Sequence, residues 1–158
     1  MGEFEELRAR VRDAVAGTQY RMALTASGFD LTIDVQEPGR TSTVWTYRVE
    51  LAAAERVFTI TDVVLTTEYW PGGRRKSVHK SVGRSVYRTR HRAVGGTEWY
   101  TFSSADGHRL IRGVAEELGW REERPASMRK ALRAAYSVAA MTAAVLIGLL
   151  VALIAGKF

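Results

Sequence analysis

Residues 29–35 read FDLTIDV, and this strict alternation of apolar and polar side chains decides the fold. Phe29, Leu31, Ile33 and Val35 share one side of a strand, because successive side chains of a strand point to opposite faces of its sheet. Two aspartates and a threonine occupy the other side. The stretch therefore predicts an antiparallel strand with one buried face and one solvated face.

The same period of two extends in both directions from this strand. Ser27 and Gly28 suit a tight hairpin from a preceding strand over residues 20–25, and residues 37–42 suit the next turn. The alternation slips near Asp62, which predicts a β-bulge at that position. Four further strands are predicted over residues 45–51, 57–69, 77–90 and 98–103.

An amphipathic helix is predicted on each side of the strands. Residues 3–16 place Phe4, Leu7, Val11 and Val15 on one stripe. Residues 107–118 also place their apolar side chains on one face of a helix, with Asp106 or a nearby serine as the N-terminal cap. The fold class is therefore α+β: an antiparallel β-meander of about six strands with a helix at either end, followed by one transmembrane helix. A small open barrel and a helix-wrapped sheet with a lipid-sized cavity are alternative forms of this order.

Residues 134–156 contain no charged side chain over 23 positions. As a helix they would span about 34 Å, enough for a hydrocarbon core of roughly 30 Å. The sequence therefore predicts a single-pass, tail-anchored membrane protein; the alternative is a buried helix in a soluble core. Three regions follow: a cytosolic α+β domain (1–120), a basic juxtamembrane linker (121–133) and the transmembrane helix (134–156).

The charges that flank this span predict its orientation. The basic residues before it are Arg121, Arg124, Arg129, Lys130 and Arg133, whereas Lys157 alone follows it. An excess of Lys and Arg marks the cytoplasmic side, so the N-terminal domain is expected there.

The span also carries small residues at every fourth position, which would let two membrane helices pack closely. They predict homo- or hetero-association through residues Ala140, Ala144, Gly148, Ala152 and Gly156.

Basic residues are concentrated in one segment. The 29 residues between Glu68 and Glu98 contain no acid, although the whole chain has a net charge of only +6. The eight cations of the segment are Arg74, Arg75, Lys76, Lys80, Arg84, Arg88, Arg90 and Arg92. Read as one strand, positions 78 to 92 of even number project from one side. Three interpretations fit: protection of a sheet edge, contact with anionic phospholipid, or contact with an acidic protein or nucleic acid.

Nucleic acid is the weakest of these partners, because few aromatic residues lie among the cations. Catalytic motifs are also absent from the sequence. His79, His91 and His108 lack metal-type spacing, and there is no phosphate-binding glycine loop and no nucleophile elbow, so no metal or cofactor is predicted.

The sequence thus favours a non-catalytic binding or adaptor module at the inner membrane face, whose basic region 74–92 contacts anionic lipid headgroups or an acidic partner. A carrier of lipid or another small ligand in an apolar cavity is the alternative. A membrane-tethered enzyme whose residues meet only in three dimensions is the third hypothesis.

Overall fold

The structure is a computed structural model that describes residues 2–35, 37, 39–92 and 99–124. Within these ranges, strands far outnumber helices. The elements in chain order are α1 (Glu3–Val15), β1 (Arg21–Thr25), β2 (Gly28–Val35), β3 (Thr41–Ala52), a short 3-10 turn (Ala53–Glu55), β4 (Val57–Tyr69), β5 (Arg75–Gly83), β6 (Arg88–Arg92), β7 (Trp99–Ser103), α2 (Ser104–Glu117) and β8 (Arg121–Glu122).

The first five strands form an antiparallel meander in sequence order, and β8 joins β4 in parallel. β5 pairs with β4 from Asp62 to Tyr69, and β8 takes up the same edge of β4 at Val57 and Phe58. Strands β6 and β7 pair only with each other among the described residues. The predicted α+β class with an antiparallel sheet is confirmed. Because no pairing joins β1 to β5 in the described ranges, this sheet is open.

The core lies between the inner face of the sheet and the two helices. Leu7 and Val11 of α1 and Ile111 and Ala115 of α2 are buried against it. The alternating residues of β2 predicted to be buried are all part of this core, as are those of β3 from Trp45 to Val49. Residues Met1–Glu123 form one compact unit.

Arg8 fixes α1 to the first hairpin, a contact that the amphipathic pattern did not reveal. Its guanidinium donates to the carbonyl oxygens of Thr25 (2.6 Å) and Gly28 (2.8 Å) and to Glu5 Oε1 (2.9 Å). Its carbon Cζ lies 3.9 Å from the centre of the Phe4 ring. A buried guanidinium is stable here because its donors have acceptors.

The prediction of one strand over residues 77–90 is wrong. β5 ends at Gly83, whose φ of +143° is unfavourable for a residue with a side chain, and β6 begins at Arg88. The intervening backbone leaves the ladder because Ser85 N donates to Asp62 Oδ2 (2.9 Å) and Tyr87 N donates to Ser104 Oγ (3.0 Å). The cations from Lys80 to Arg92 therefore do not form a single row.

The predicted β-bulge at Asp62 is also wrong. β3 and β4 pair without interruption through Tyr47 and Asp62, and the irregularity lies in the β4–β5 pairing at Glu68 and Tyr69. The alternation did not slip, because Asp62 occupies an inward position between Ile60 and Val64. A polar residue at an inward position was misread as a change of register.

Two boundaries differ from the sequence-based expectation. Helix α2 begins at Ser104, so Asp106 lies in its first turn and is not its cap. Arg121 and Glu122, which the sequence places in the linker, form β8.

No helix within the described ranges is long and apolar enough to cross a membrane. The predicted span at 134–156 and its small-residue stripe, Ala140, Ala144, Gly148, Ala152 and Gly156, lie outside the described residues, as do most of linker 121–133.

Two glycines of α2 provide a matched test of this packing. A Cβ at Gly107 would lie 2.4 Å from the Tyr47 ring, whereas a Cβ at Gly113 would meet nothing within 4 Å. We expect Gly107→Ala to lower the free energy of unfolding by about 1–3 kcal/mol through overpacking. Gly113→Ala should raise it by about 0.5–1 kcal/mol through helix propensity. Urea unfolding measures both, and equal effects would contradict the close approach of α2 to the sheet.

Candidate functional site

The outer face of the sheet changes character from β1 to β5. On the β1–β3 side it carries ion pairs: Arg21 Nη1 lies 2.6 Å from Asp34 Oδ2, and Arg48 Nη2 lies 3.0 Å from Asp30 Oδ2. These side chains are polar and mutually neutralising, as expected for a solvated face.

On the β4–β5 side, apolar side chains replace these pairs. Residues directly opposite each other in a ladder share a face, and on the outer face Val63 opposes Val82, Leu65 opposes Lys80, and Thr67 opposes Val78. Val44 of β3 continues the row beside Leu65. We call this surface the β4–β5 patch; it consists of Val44, Val63, Leu65, Val78, Lys80 and Val82.

The patch is accessible to solvent. Val82 is 61% exposed, Val78 45% and Leu65 38%, while Val44 and Val63 are half-buried. No acidic residue belongs to it, although acids lie on the outer face of β2 and β3. Adjacent exposed apolar side chains on a soluble domain often mark a surface that contacts a partner or a membrane.

The structure separates the eight predicted contact cations into three groups. The first group lies on or just before β5: Arg75 opposes Tyr69 and extends the patch beside Lys80, Lys76 follows Arg75 on the strand, and Arg74 precedes it. Arg84 lies in the connection after β5, and Arg88, Arg90 and Arg92 lie on β6. The stretch thus provides a surface and a neighbouring loop in place of one basic ladder.

The partners of these cations divide them further. Lys76 Nζ lies 3.1 Å from Glu68 Oε2, Arg84 pairs with Glu122, and the Arg90 guanidinium lies 5.0 Å from the centre of the Trp99 ring. Among the described residues, no carboxylate pairs with Arg74, Arg75, Lys80 or Arg88. The side chain of Arg92 is not described. For these four cations, no carboxylate in the described part of the chain competes with an external anion.

A second polar cluster was not predicted from the sequence. Asp62 is 1% exposed and His108 is 6% exposed, and His108 Nε2 lies 3.0 Å from Asp62 Oδ1 and 3.2 Å from Oδ2. Asp62 also accepts the Ser85 amide hydrogen bond. A buried carboxylate requires such partners, because its desolvation is costly.

Tyr47 connects this cluster to the start of α2. Its hydroxyl donates to the Ser104 carbonyl oxygen (3.0 Å), and its ring lies edge-on to the His108 ring with centroids 5.2 Å apart. Burial raises the pKa of Tyr47, so the hydroxyl keeps its proton at neutral pH.

The convergence of Asp62, His108 and two serines does not make a nucleophilic triad. Ser104 Oγ donates to the Ser85 carbonyl oxygen (3.3 Å) and accepts from Tyr87 N. No hydrogen bond joins a serine to His108 in the described ranges, and a nucleophile must reach its base. No cluster of three metal-ligating side chains occurs in those ranges either. The pair Asp62–His108 positions the chain segments around it.

Glu122 on β8 forms ion pairs with two arginines, Arg84 and Arg112. Arg112 Nε lies 2.6 Å from Glu122 Oε2, and Arg84 bonds Oε1. Burial alone would raise the pKa of Glu122, but the hydrogen bonds and charges of Arg112 and Arg84 outweigh it and hold that pKa below its usual value.

Two clefts open on this part of the domain. One, of about 350 Å³, is bordered by Tyr20, Trp99 and Asp106; the other, of about 260 Å³, lies between Arg84 and Arg112. In the core, the rings of Trp45 on β3, Tyr87 in the β5–β6 connection and Phe102 on β7 pack with centroids 5.6–6.2 Å apart. Rings therefore fill the core between these three elements.

Substitutions of two aspartates test how much the buried Asp62–His108 cluster contributes to stability. Asp62→Ala leaves Ser85 N and His108 without their acceptor in a buried place, and we expect a loss of about 3 kcal/mol or more in the free energy of unfolding. Asp34→Ala removes an exposed partner of Arg21 and should change stability little. Chemical unfolding compares the two variants; similar losses would show that Asp62 is not a structural centre.

Comparison of the chain with protein-family models, with curated proteins and with solved structures finds no match.

Proposed function

We propose that this chain is a non-catalytic binding module at the cytoplasmic face of a membrane. Residues 134–156 would hold it there, and the β4–β5 patch with its neighbouring cations would rest on anionic lipid headgroups. The uncharged run and its basic flank support the location, because hydrocarbon favours such a run and Lys and Arg resist translocation.

One observation carries the proposal: exposed apolar side chains and unpaired cations share a surface, and the neighbouring acid Asp34, opposite Val44, is neutralised by Arg21. Arg75 and Lys80 lie on the outer face with Val78 and Val82. Near an anionic membrane each such cation gains about 1 kcal/mol, and small apolar side chains add area that leaves water. Protection of a sheet edge explains the cations but not the exposed valines between them.

Other partners receive less support from the surface. A single-stranded nucleic acid would need aromatic side chains between the cations, and the patch itself contains none. A lipid carrier would need an apolar cavity in the core, whereas the rings of Trp45, Tyr87 and Phe102 pack directly against one another there. An acidic protein remains an outcome that the experiment below distinguishes from lipid.

The test uses residues 1–124 and vesicles of phosphatidylcholine with or without phosphatidylglycerol. Changing Arg74, Arg75 and Lys80 together to Gln should weaken binding to anionic vesicles by about 3 kcal/mol, or roughly a hundredfold. Binding should also fall steeply with salt, since the Debye length is about 10 Å at 0.1 M. Co-sedimentation at several salt concentrations measures this.

The matched control removes the same charge elsewhere. Arg10, Arg12 and Arg109 lie on the helices, and changing them together to Gln should leave vesicle binding largely intact. Equal loss in both triple variants would mean that net charge alone attracts the domain. A wild-type fragment that ignores anionic vesicles, or that buries the patch in a dimer by light scattering, would contradict the proposal.

A further inference from the structure

Val86 is the most exposed large apolar residue among the described positions, at 96%. It lies between the exposed Arg84 and Arg88 in the connection from β5 to β6. Its neighbours are held inward: Ser85 N bonds Asp62, and the Tyr87 ring stacks on Trp45 with centroids 5.8 Å apart. The connection therefore presents a fixed apolar tip with a cation on either side.

We propose that the cleft behind this tip binds the terminal phosphate of an anionic lipid, with Val86 inserted beside the lipid. The inference rests on the proposed function, because it needs the domain at a membrane, and it adds a specific headgroup site to a non-specific surface. The chemical class is a phosphate monoester.

The cleft has room for such a group. It lies between residues 84–86 and helix α2 and has a volume of about 260 Å³. That is far above the roughly 15 Å³ that one enclosed water needs. Val86 forms part of its wall, so a headgroup in the cleft and a side chain in the membrane interface are neighbours.

Positive charge and hydrogen-bond donors meet the cleft from three sides. Arg84 comes from the connection, Arg112 from the middle of α2, and Ala105 from the first turn of α2. Ser103 provides no side-chain cap to this 14-residue helix, and the Ser104 amide bonds the Tyr87 carbonyl oxygen. The first turn carries the positive end of the helix dipole, which favours an anion.

His108 supplies an independent indication of a ligand. It is 6% exposed and lines the cleft, Nε2 faces Asp62, and the buried Nδ1 has no hydrogen-bond partner in the described part of the chain. Buried polar atoms are almost always paired in native proteins. Nδ1 can accept from a P–OH group, or donate to a phosphate oxygen when the ring is protonated.

Glu122 shows that an oxyanion fits both arginines at once. Its carboxylate bonds Arg84 through Nη2 and Arg112 through Nε and Nη2. The other guanidinium nitrogens make no side-chain bond in the described ranges and remain hydrogen-bond donors for a second oxyanion. A phosphate monoester has three unsubstituted oxygens, one for each of the three groups of donors that line the cleft. A diester has only two, so the arrangement of donors favours the monoester.

The experiment uses the full-length chain in a non-ionic detergent. The probes are dihexanoyl phosphatidic acid, a lipid monoester; dihexanoyl phosphatidylglycerol, a lipid diester; and glycerol 3-phosphate, a free monoester. Amide shifts of Ser85 and Ala105 in NMR spectra report binding. We expect phosphatidic acid to bind at least about tenfold more tightly than either other probe, since each loses a charge-assisted contact or the apolar one.

Two substitutions that break the same ion pair separate binding from stability. Arg112→Gln removes a donor and should weaken phosphatidic acid binding about tenfold. Glu122→Gln removes the competing carboxylate and should strengthen it. Val86→Ser, at a fully exposed position, should weaken phosphatidic acid while leaving glycerol 3-phosphate unchanged.

Three results would overturn the inference. If Arg112→Gln and Glu122→Gln change affinity in the same direction, the effect is structural. If glycerol 3-phosphate binds as tightly as phosphatidic acid, the phosphate source is not a lipid. If no probe shifts Ser85 or Ala105 while anionic vesicles still bind residues 1–124, the headgroup site is wrong and the proposed membrane surface stands.

Discussion

The carboxylate of Asp62 is the constraint on which this domain depends. It lies at an inward position of β4, where water does not reach it, and a buried carboxylate needs protein partners in place of its lost hydration. The Ser85 amide and the His108 ring are those partners. The hydrogen bond from Ser85 N directs the backbone away from the β4–β5 ladder after Gly83. The contact of His108 with Asp62 holds α2 against the sheet.

These consequences shape the surface as well as the core. Because β5 ends early, β8 can occupy the same edge of β4, and Arg84 turns toward Glu122. Val86 is left in a short connection whose neighbours are both tied inward. Thus one buried acid, Asp62, determines where the exposed tip and the adjoining cleft lie. It also determines where β8 pairs with β4. The β4–β5 patch, by contrast, follows from the period of the strands alone.

The sequence predicts the parts of this fold that depend on periodicity. Strict alternation identified β2 and β3, and the apolar stripe identified α1, because each pattern reports which face is buried. Arg8 was missed because a charged residue beside an apolar stripe is usually solvated. Its role depends on the carbonyl groups of Thr25 and Gly28, and their place is set by tertiary structure.

The same reasoning explains what was missed at the candidate sites. Asp62 is the next alternate residue after Phe58 and Ile60, so the period of two already predicts that its side chain points inward. The position suggests a slip in register only because aspartate is rarely buried. Its partners, Ser85 and His108, are 23 and 46 residues away, a distance that no local pattern spans. The basic stretch is evident from the sequence, but the prediction that it forms one strand is wrong because β5 ends at Gly83. The sequence shows where the cations lie along the chain, but it does not reveal which of them form ion pairs with a carboxylate.

The orientation that the proposed function requires of the domain on a membrane is the most direct test. The chain contains no cysteine, so Val82→Cys, Val86→Cys and Arg12→Cys each provide a single spin-label site. With the full-length chain in anionic nanodiscs, collisions with oxygen and with a water-soluble nickel chelate report the depth of each label. The β4–β5 patch and the tip should place the labels at 82 and 86 in the lipid interface, and the label at 12 in water. Equal access of the nickel chelate to all three labels, or a label at 12 that alone contacts lipid, would contradict this arrangement.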